Sequence, residues 1–217
     1  TVRDQMQLSV DVISDVICPW CYIGKRRLEK AIMDLDSQHE IQVRWYSFQL
    51  NPLMPKGGIS RKEYRTRKFG SWERSKELDA RVVAVGAAEG IHFHFDAIDK
   101  TPNTVDAHRL IGLAEQHGCQ DAVVESLFQA YFVDGQDIGN HQTLIQVVSA
   151  AGLNPQAAEA LLLSDDGMDA MDQGKILSQR HQIDSVPCFI IDRKITISGA
   201  EQAEVFLAAF TQIAAAT

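Results

Sequence analysis

The sequence predicts an α/β fold interrupted by an all-helical insertion. Three observations carry that prediction. The chain opens as strand, helix, strand; from about Ser60 to Gln182 apolar residues recur at helical spacing with no convincing strand; and short β-rich runs then return ahead of a final amphipathic helix. The natural division gives residues 1–58 and 183–217 to one α/β domain built from both ends of the chain. Residues 59–182 form the helical insertion.

Leu8 to Ile13 alternates and is β-branched, which reads as a strand. From Pro19 onward Tyr22, Ile23, Leu28, Ala31, Ile32 and Leu35 recur at helical spacing, and Pro19 suits a first helical turn, where its missing N–H costs nothing. Ile41 to Leu50 alternates again and is stopped by Asn51-Pro52. The intervening helix is long enough to cross over between parallel strands. In the middle, Ser71 caps a helix running to about Glu89, and Asn103 or Thr104 caps another ending at Gly118. Further helices are expected over Gln120 to Val133, His141 to Ala151, Pro155 to Leu163 behind Asn154, and Asp165 to Gln182. Cys188 to Asp192 and Lys194 to Ser198 read as strands split by a turn at Asp192-Arg193, and Glu201 to Ile213 as the closing helix.

Composition narrows the function classes. Hydrophobic residues make up 45% and charged residues 23% of the 217, near the average for globular chains. A net charge of -8 argues against nucleic-acid partners, whose phosphates call for clustered Lys and Arg. The basic runs Lys25-Arg26-Arg27 and Arg61 to Lys68 are local and read as solvated helix faces. No run of about 18 apolar residues exists to span a membrane, and Thr1 to Gln7 is polar, so a cytoplasmic chain with no membrane partner is expected. Four cysteines, at 18, 21, 119 and 188, are too few and too unevenly spaced for a disulfide framework. In a reducing compartment a close pair is more often catalytic or metal-binding.

The close pair lies in "SDVICPWCYIGKRRLEKA", at a strand's end and a helix's start. There Cys18 meets unsatisfied backbone N–H groups and the positive end of the helix dipole, which favour the nucleophilic thiolate. Cys21, one helical turn on, is near enough to close a disulfide with it. Pro19 stiffens the turn and Trp20 offers apolar surface. A zinc site needs four ligands, and one Cys-x-x-Cys supplies two; Cys119, Cys188, His92 and His94 are weak candidates for the rest, so no metal is expected. The second informative stretch is "DSVPCFII", Asp184 to Ile191, where a proline opens a strand. A cis Val186-Pro187 bond there would turn the Val186 backbone toward an extended substrate. Alternation puts Cys188 and Ile190 on one strand face and Phe189 and Ile191 on the other, and Cys188 reads as a small apolar filler.

With these two stretches at opposite ends of the chain, the sequence resembles the thioredoxin superfamily and its DsbA-like branch, which carries a helical insertion. Within that branch it looks more closely like the FrnE-like subgroup, related to the 2-hydroxychromene-2-carboxylate isomerases, through "SDVICPWCYIGKRRLE", "FQLNP" (48–52), "NTVDAHRL" (103–110) and "SVPCFIID" (185–192). The resemblance implies a thioredoxin-like α/β fold with an inserted helical domain and dithiol–disulfide exchange with protein or small-molecule thiols. It makes Cys18 the nucleophile and Cys21 the resolving thiol, with Pro187 cis beside them and Trp20 and Val186 contacting substrate. Asn103 and His108 match a recurring segment and either line the cleft or serve as a helix cap and a helix-face hydrogen-bonding group. No bound cofactor is implied, with glutathione a candidate co-substrate. A glutathione-dependent isomerase or transferase is the competing enzyme class, but such relatives typically carry serine at the nucleophile position and lack a resolving cysteine. A thiol-independent peptide-binding chaperone is the competing non-enzymatic class.

Overall fold

The computed structural model describes residues 6–35 and 39–216; residues 1–5 of the polar start lie outside them. β1 (Met6–Ser14) and β2 (His39–Ser47) run parallel, joined by α1 (Pro19–Asp34). β5 (Cys188–Ile191) lies antiparallel on the other side of β1, and β6 (Ile195–Ser198) antiparallel to β5, giving the sheet order β2-β1-β5-β6. The expected turn between the last two strands is present, with Asp192 and Arg193 both at positive φ (50° and 57°). α9 (Ala203–Ala215) packs beside α1.

Each face of the sheet has its own apolar set. Leu8, Val10, Val12, Phe189 and Ile191 join the core shared with α1 and α9, where the Phe189 and Phe206 rings meet edge to face at 4.7 Å. Ile13, Cys188 and Ile190 form the opposite set with Leu177 and Ile183. The alternation read in "PCFII" is thus the observed one, with all four strand residues buried. On this second face α8 (Met168–Arg180) lies against β2 so closely that a Cβ on Gly174 would press into the Ser47 carbonyl and hydroxyl.

Besides α8, the inserted helices are α2 (Arg61–Phe69), α3 (Trp72–Ala88), α4 (Val105–Gln116), α5 (Gln120–Phe132), α6 (His141–Ala150) and α7 (Pro155–Leu162). Ser60, Ser71, Asn140 and Asn154 cap four of them, each side-chain oxygen accepting a backbone N–H of the first turn. Tyr22 of α1 stacks on Phe128 of α5 at 4.9 Å, and Phe93, Phe95 and Phe132 extend the aromatic group. One continuous buried cluster therefore joins the insertion to the sheet.

The structure corrects the sequence reading at three places. β2 stops at Ser47 instead of reaching Leu50, because Ser14 O accepts the Phe48 N–H and the Asp15 carboxylate accepts the Leu50 N–H, turning "FQL" into a loop. The middle stretch holds the extra helix α2 and a two-residue ribbon, β3 (Ile59–Ser60) with antiparallel β4 (Lys100–Thr101), too short to show any period. The basic runs are not solvated faces throughout. Lys25 is 1% exposed and meets Glu29, Asp121 and Glu125; Arg27 donates to Glu89 and the Ala200 carbonyl; and Arg61 is buried against Asp79. Their carboxylate partners outside α1 come from other helices, which local charge patterning cannot reveal.

Candidate active site

β1 ends at Ser14, and Asp15 begins the turn that delivers Cys18 to the N-cap of α1. The Asp15 carbonyl accepts the Cys18 N–H at 3.1 Å, and Pro19 takes the first helical position. No side chain caps this helix, so Cys18 stands at the end where the first-turn N–H groups have no side-chain acceptor. Cys18 is 6% exposed and Cys21 fully buried. All four cysteines are free thiols. Cys18 Sγ donates toward the Val186 carbonyl at 3.8 Å, and the Val186-Pro187 peptide is cis. Two chain ends separated by 168 residues thus meet at one sulfur.

Cys21 is held as a thiol. Burial pushes its pKa well above the usual thiol range, and the adjacent Cys18 sulfur adds to this, both as a hydrogen-bonding partner and as a charge. The Ser14 hydroxyl and the Asp15 backbone N–H act the other way, stabilising a Cys21 thiolate. Burial also raises Cys188, which sits directly after Pro187 among Ile13 and Ile190.

Beneath the turn, Asp15 Oδ1 lies 3.0 Å from His108 Nε2, while Oδ2 accepts the Leu50 N–H at 2.9 Å. Both side chains are buried. The pair ties the residue three before Cys18 to α4 of the insertion.

Cys18 opens onto a cleft of about 430 Å³ between α1 and the helices α2 and α3. Trp20, 40% exposed, forms one edge, and Leu50, Tyr64, Phe69, Leu78, Val82 and Phe95 supply apolar walls. Arg61 makes a two-pronged contact with Asp79 at 2.9 and 3.0 Å, and Arg65 adds a third at 2.9 Å. That volume suits a small ligand or one peptide side chain.

A cysteine pair at the head of α1, facing a cis-proline strand across a sheet of order β2-β1-β5-β6, is matched over residues 9–211 by the family model for the DSBA-like thioredoxin domain. The chain belongs to the DSBA-like thioredoxin family. It is similar to a Streptomyces coelicolor protein described as a probable DsbA oxidoreductase, with 30% identity, TM-score 0.88, and coverage of 94% of this chain and 89% of that one. In fold it is also similar to 2-hydroxychromene-2-carboxylate isomerase (15% identity, TM-score 0.68, coverage 95% and 96%). The same holds for the cytosolic disulfide reductase DsbM of Pseudomonas aeruginosa in its structure with GSH (17% identity, TM-score 0.63, coverage 96% and 100%).

In this DSBA-like chain the structure brings Cys18, Cys21, Trp20, Val186 and Pro187 to one turn and its edge. Asn103 stands apart from the cleft lining: its Nδ2 donates to the Met54 carbonyl and its Oδ1 accepts the Val105 N–H, at the start of α4. His108 likewise meets Asp15 behind the turn and does not line that cleft. His92 and His94 are exposed, with Phe93 and Phe95 buried between and after them, and among the described residues no group of three or more His, Cys, Asp or Glu is placed to hold a metal ion. No helix among them is long and apolar enough to cross a membrane. The sequence reading missed Asp15 and the cationic wall from α2 and α3. Asp15 stands in "SDVICPWC" beside the cysteines, but no local pattern there reveals its partner His108, 93 residues further along the chain.

Proposed function

We propose that this protein is a thiol–disulfide oxidoreductase that works through Cys18 and Cys21. The observation that carries this reading is the pair's asymmetry: one sulfur at a helix N-terminus on the edge of a cleft, the other buried behind it and held protonated. The Cys18 thiolate attacks one sulfur of a substrate disulfide, the S–S bond breaks, and one substrate half leaves as thiolate. A mixed disulfide on Cys18 remains. Cys18 then carries no charge and no longer interacts with Cys21 as a thiolate, so two of the three influences that held Cys21 as a thiol vanish, while the Ser14 hydroxyl and Asp15 N–H remain to stabilise its thiolate. Cys21 loses its proton, attacks Cys18 Sγ and releases the second half. Two electrons have passed to the substrate, and the Cys18–Cys21 disulfide is left for a thiol reductant to reopen.

In this reading Trp20 and the Val186 backbone contact the substrate, Pro187 shapes that edge, His108 supports the turn through Asp15, and Asn103 holds the start of α4 to the Met54 loop. A cytoplasmic setting with glutathione as reductant fits, because a reducing poise would run the pair as a reductase or isomerase. The likeness in fold to a cytosolic reductase solved with GSH supports the same direction. The glutathione-dependent isomerase alternative has no use for Cys21, which this chain retains. Equilibration of the reduced protein with glutathione buffers tests the proposal: a Cys18–Cys21 disulfide forming at a defined potential supports it, and a pair that never forms the disulfide overturns it.

A further inference from the structure

The cleft beside Cys18 carries a charge opposite to that of the whole protein. Four cations line it, Arg61, Arg65, Lys68 and Arg81, against the single carboxylate of Asp79, whereas the chain as a whole is at -8. Asp79 is fully engaged, with Oδ2 on Arg61 and Oδ1 shared between Arg61 and Arg65, so it neutralises nothing further. Lys68 lies over the rings of Tyr64 and Phe69 at 5.7 and 5.5 Å and, like Arg81, has no ion pair among the described residues. Both are exposed, and the cleft they line also carries the apolar surface of Phe69, Leu78, Val82 and Phe95. An apolar cleft with unneutralised cations at its rim focuses its field on anions and holds them best when they bring an apolar body.

We infer that the cleft selects small disulfides that carry both an apolar or aromatic group and a carboxylate, with Lys68 and Arg81 meeting the carboxylate while the Cys18 sulfur attacks the S–S bond. This rests on the exchange reading above and names its substrate class. The cleft's size favours a small molecule over a folded protein partner, which would have to insert a side chain of this chemistry.

Single-turnover reaction of the reduced protein with two aromatic disulfides tests the inference: 5,5′-dithiobis(2-nitrobenzoate), which carries carboxylates, and uncharged 4,4′-dithiodipyridine. Each rate is divided by that of a simple free thiol at the same pH, which removes the probes' intrinsic reactivities. The expected result is a normalised preference of about tenfold or more for the carboxylate probe. That preference should shrink about threefold in Lys68→Gln and in Arg81→Gln, nearly vanish in the double variant, and fade as salt is raised. Arg67→Gln, which makes the same charge change on α2 outside the cleft, should keep it. A normalised preference near one in the wild type, or one that survives the double substitution, overturns the inference and leaves the exchange reading standing. Failure of both probes to modify Cys18 overturns the exchange reading with it.

Discussion

Asp15 Oδ1 and His108 Nε2 meet at 3.0 Å behind the cysteine turn, joining residues 93 apart in sequence. Asp15 holds three things at once: the Cys18 N–H through its carbonyl, the Leu50 N–H through Oδ2, and the imidazole through Oδ1. Replacing His108 with Phe leaves a buried carboxylate oxygen without its partner, whereas His108→Gln can still donate. His108→Phe should therefore cost about 2–3 kcal/mol in urea unfolding and His108→Gln clearly less. Equal losses in the two variants would show that ring packing, not the contact with Asp15, holds this joint.

The division of labour between the thiols predicts a trapped adduct. With Cys21→Ser, attack by Cys18 still forms the mixed disulfide but nothing resolves it. Mass spectrometry after incubation with an oxidised small-molecule disulfide should find a reducible adduct on Cys18. Wild-type protein under the same conditions should instead lose two hydrogens and carry no adduct.

Burial raises the pKa of Cys21 above its unfolded value, so between those two values the folded reduced protein binds a proton that the unfolded chain has released. Stability contributed by that thiol is complete below the ordinary thiol pKa and is lost as pH rises above it. The reduced wild type should consequently lose stability more steeply from pH 8 to about pH 10 than Cys21→Ser does. Urea midpoints across that range would show it, and parallel slopes would contradict it.

Cys188 is raised by burial in the same way and sits in an apolar set with Ile13 and Ile190. Cys188→Ala should cost about 1 kcal/mol through lost packing and leave disulfide reduction near the wild-type rate. A tenfold loss of reduction with an unchanged circular dichroism spectrum would place Cys188 in the mechanism.

Gly174 lets α8 rest on the backbone of β2. Gly174→Ala would drive a methyl group into the Ser47 carbonyl, a backbone atom that cannot step aside, and should destabilise the protein by about 1–3 kcal/mol despite the better helix propensity of alanine. Thermal unfolding measures it; a gain in stability would mean that α8 shifts freely on the sheet.

The sequence by itself determined the opening strand–helix–strand and the return of strands after a helical middle, the helix that begins at Pro19 and the division of "CFII" between two faces. These follow from periodicities, caps and breakers that act within a few residues. It also determined that Cys18 stands at a helix start, since a strand followed by Pro19 leaves it nowhere else. Tertiary structure alone decided what surrounds that sulfur. The Val186 carbonyl reaches it from 168 residues away, His108 reaches Asp15 from the insertion, and Asp79 of α3 draws Arg61 into the cleft wall while Lys68 and Arg81 remain unpaired. Charge patterning along the chain made Arg61 and Lys25 look like solvated residues, because a long cationic side chain is burial-competent only when carboxylates converge on it, and those at Asp79, Asp121 and Glu125 come from other helices. The two short runs of the β3–β4 ribbon and the loop at Phe48 to Leu50 were hidden for a related reason: backbone hydrogen bonds to distant partners set them, and no side-chain period records such bonds.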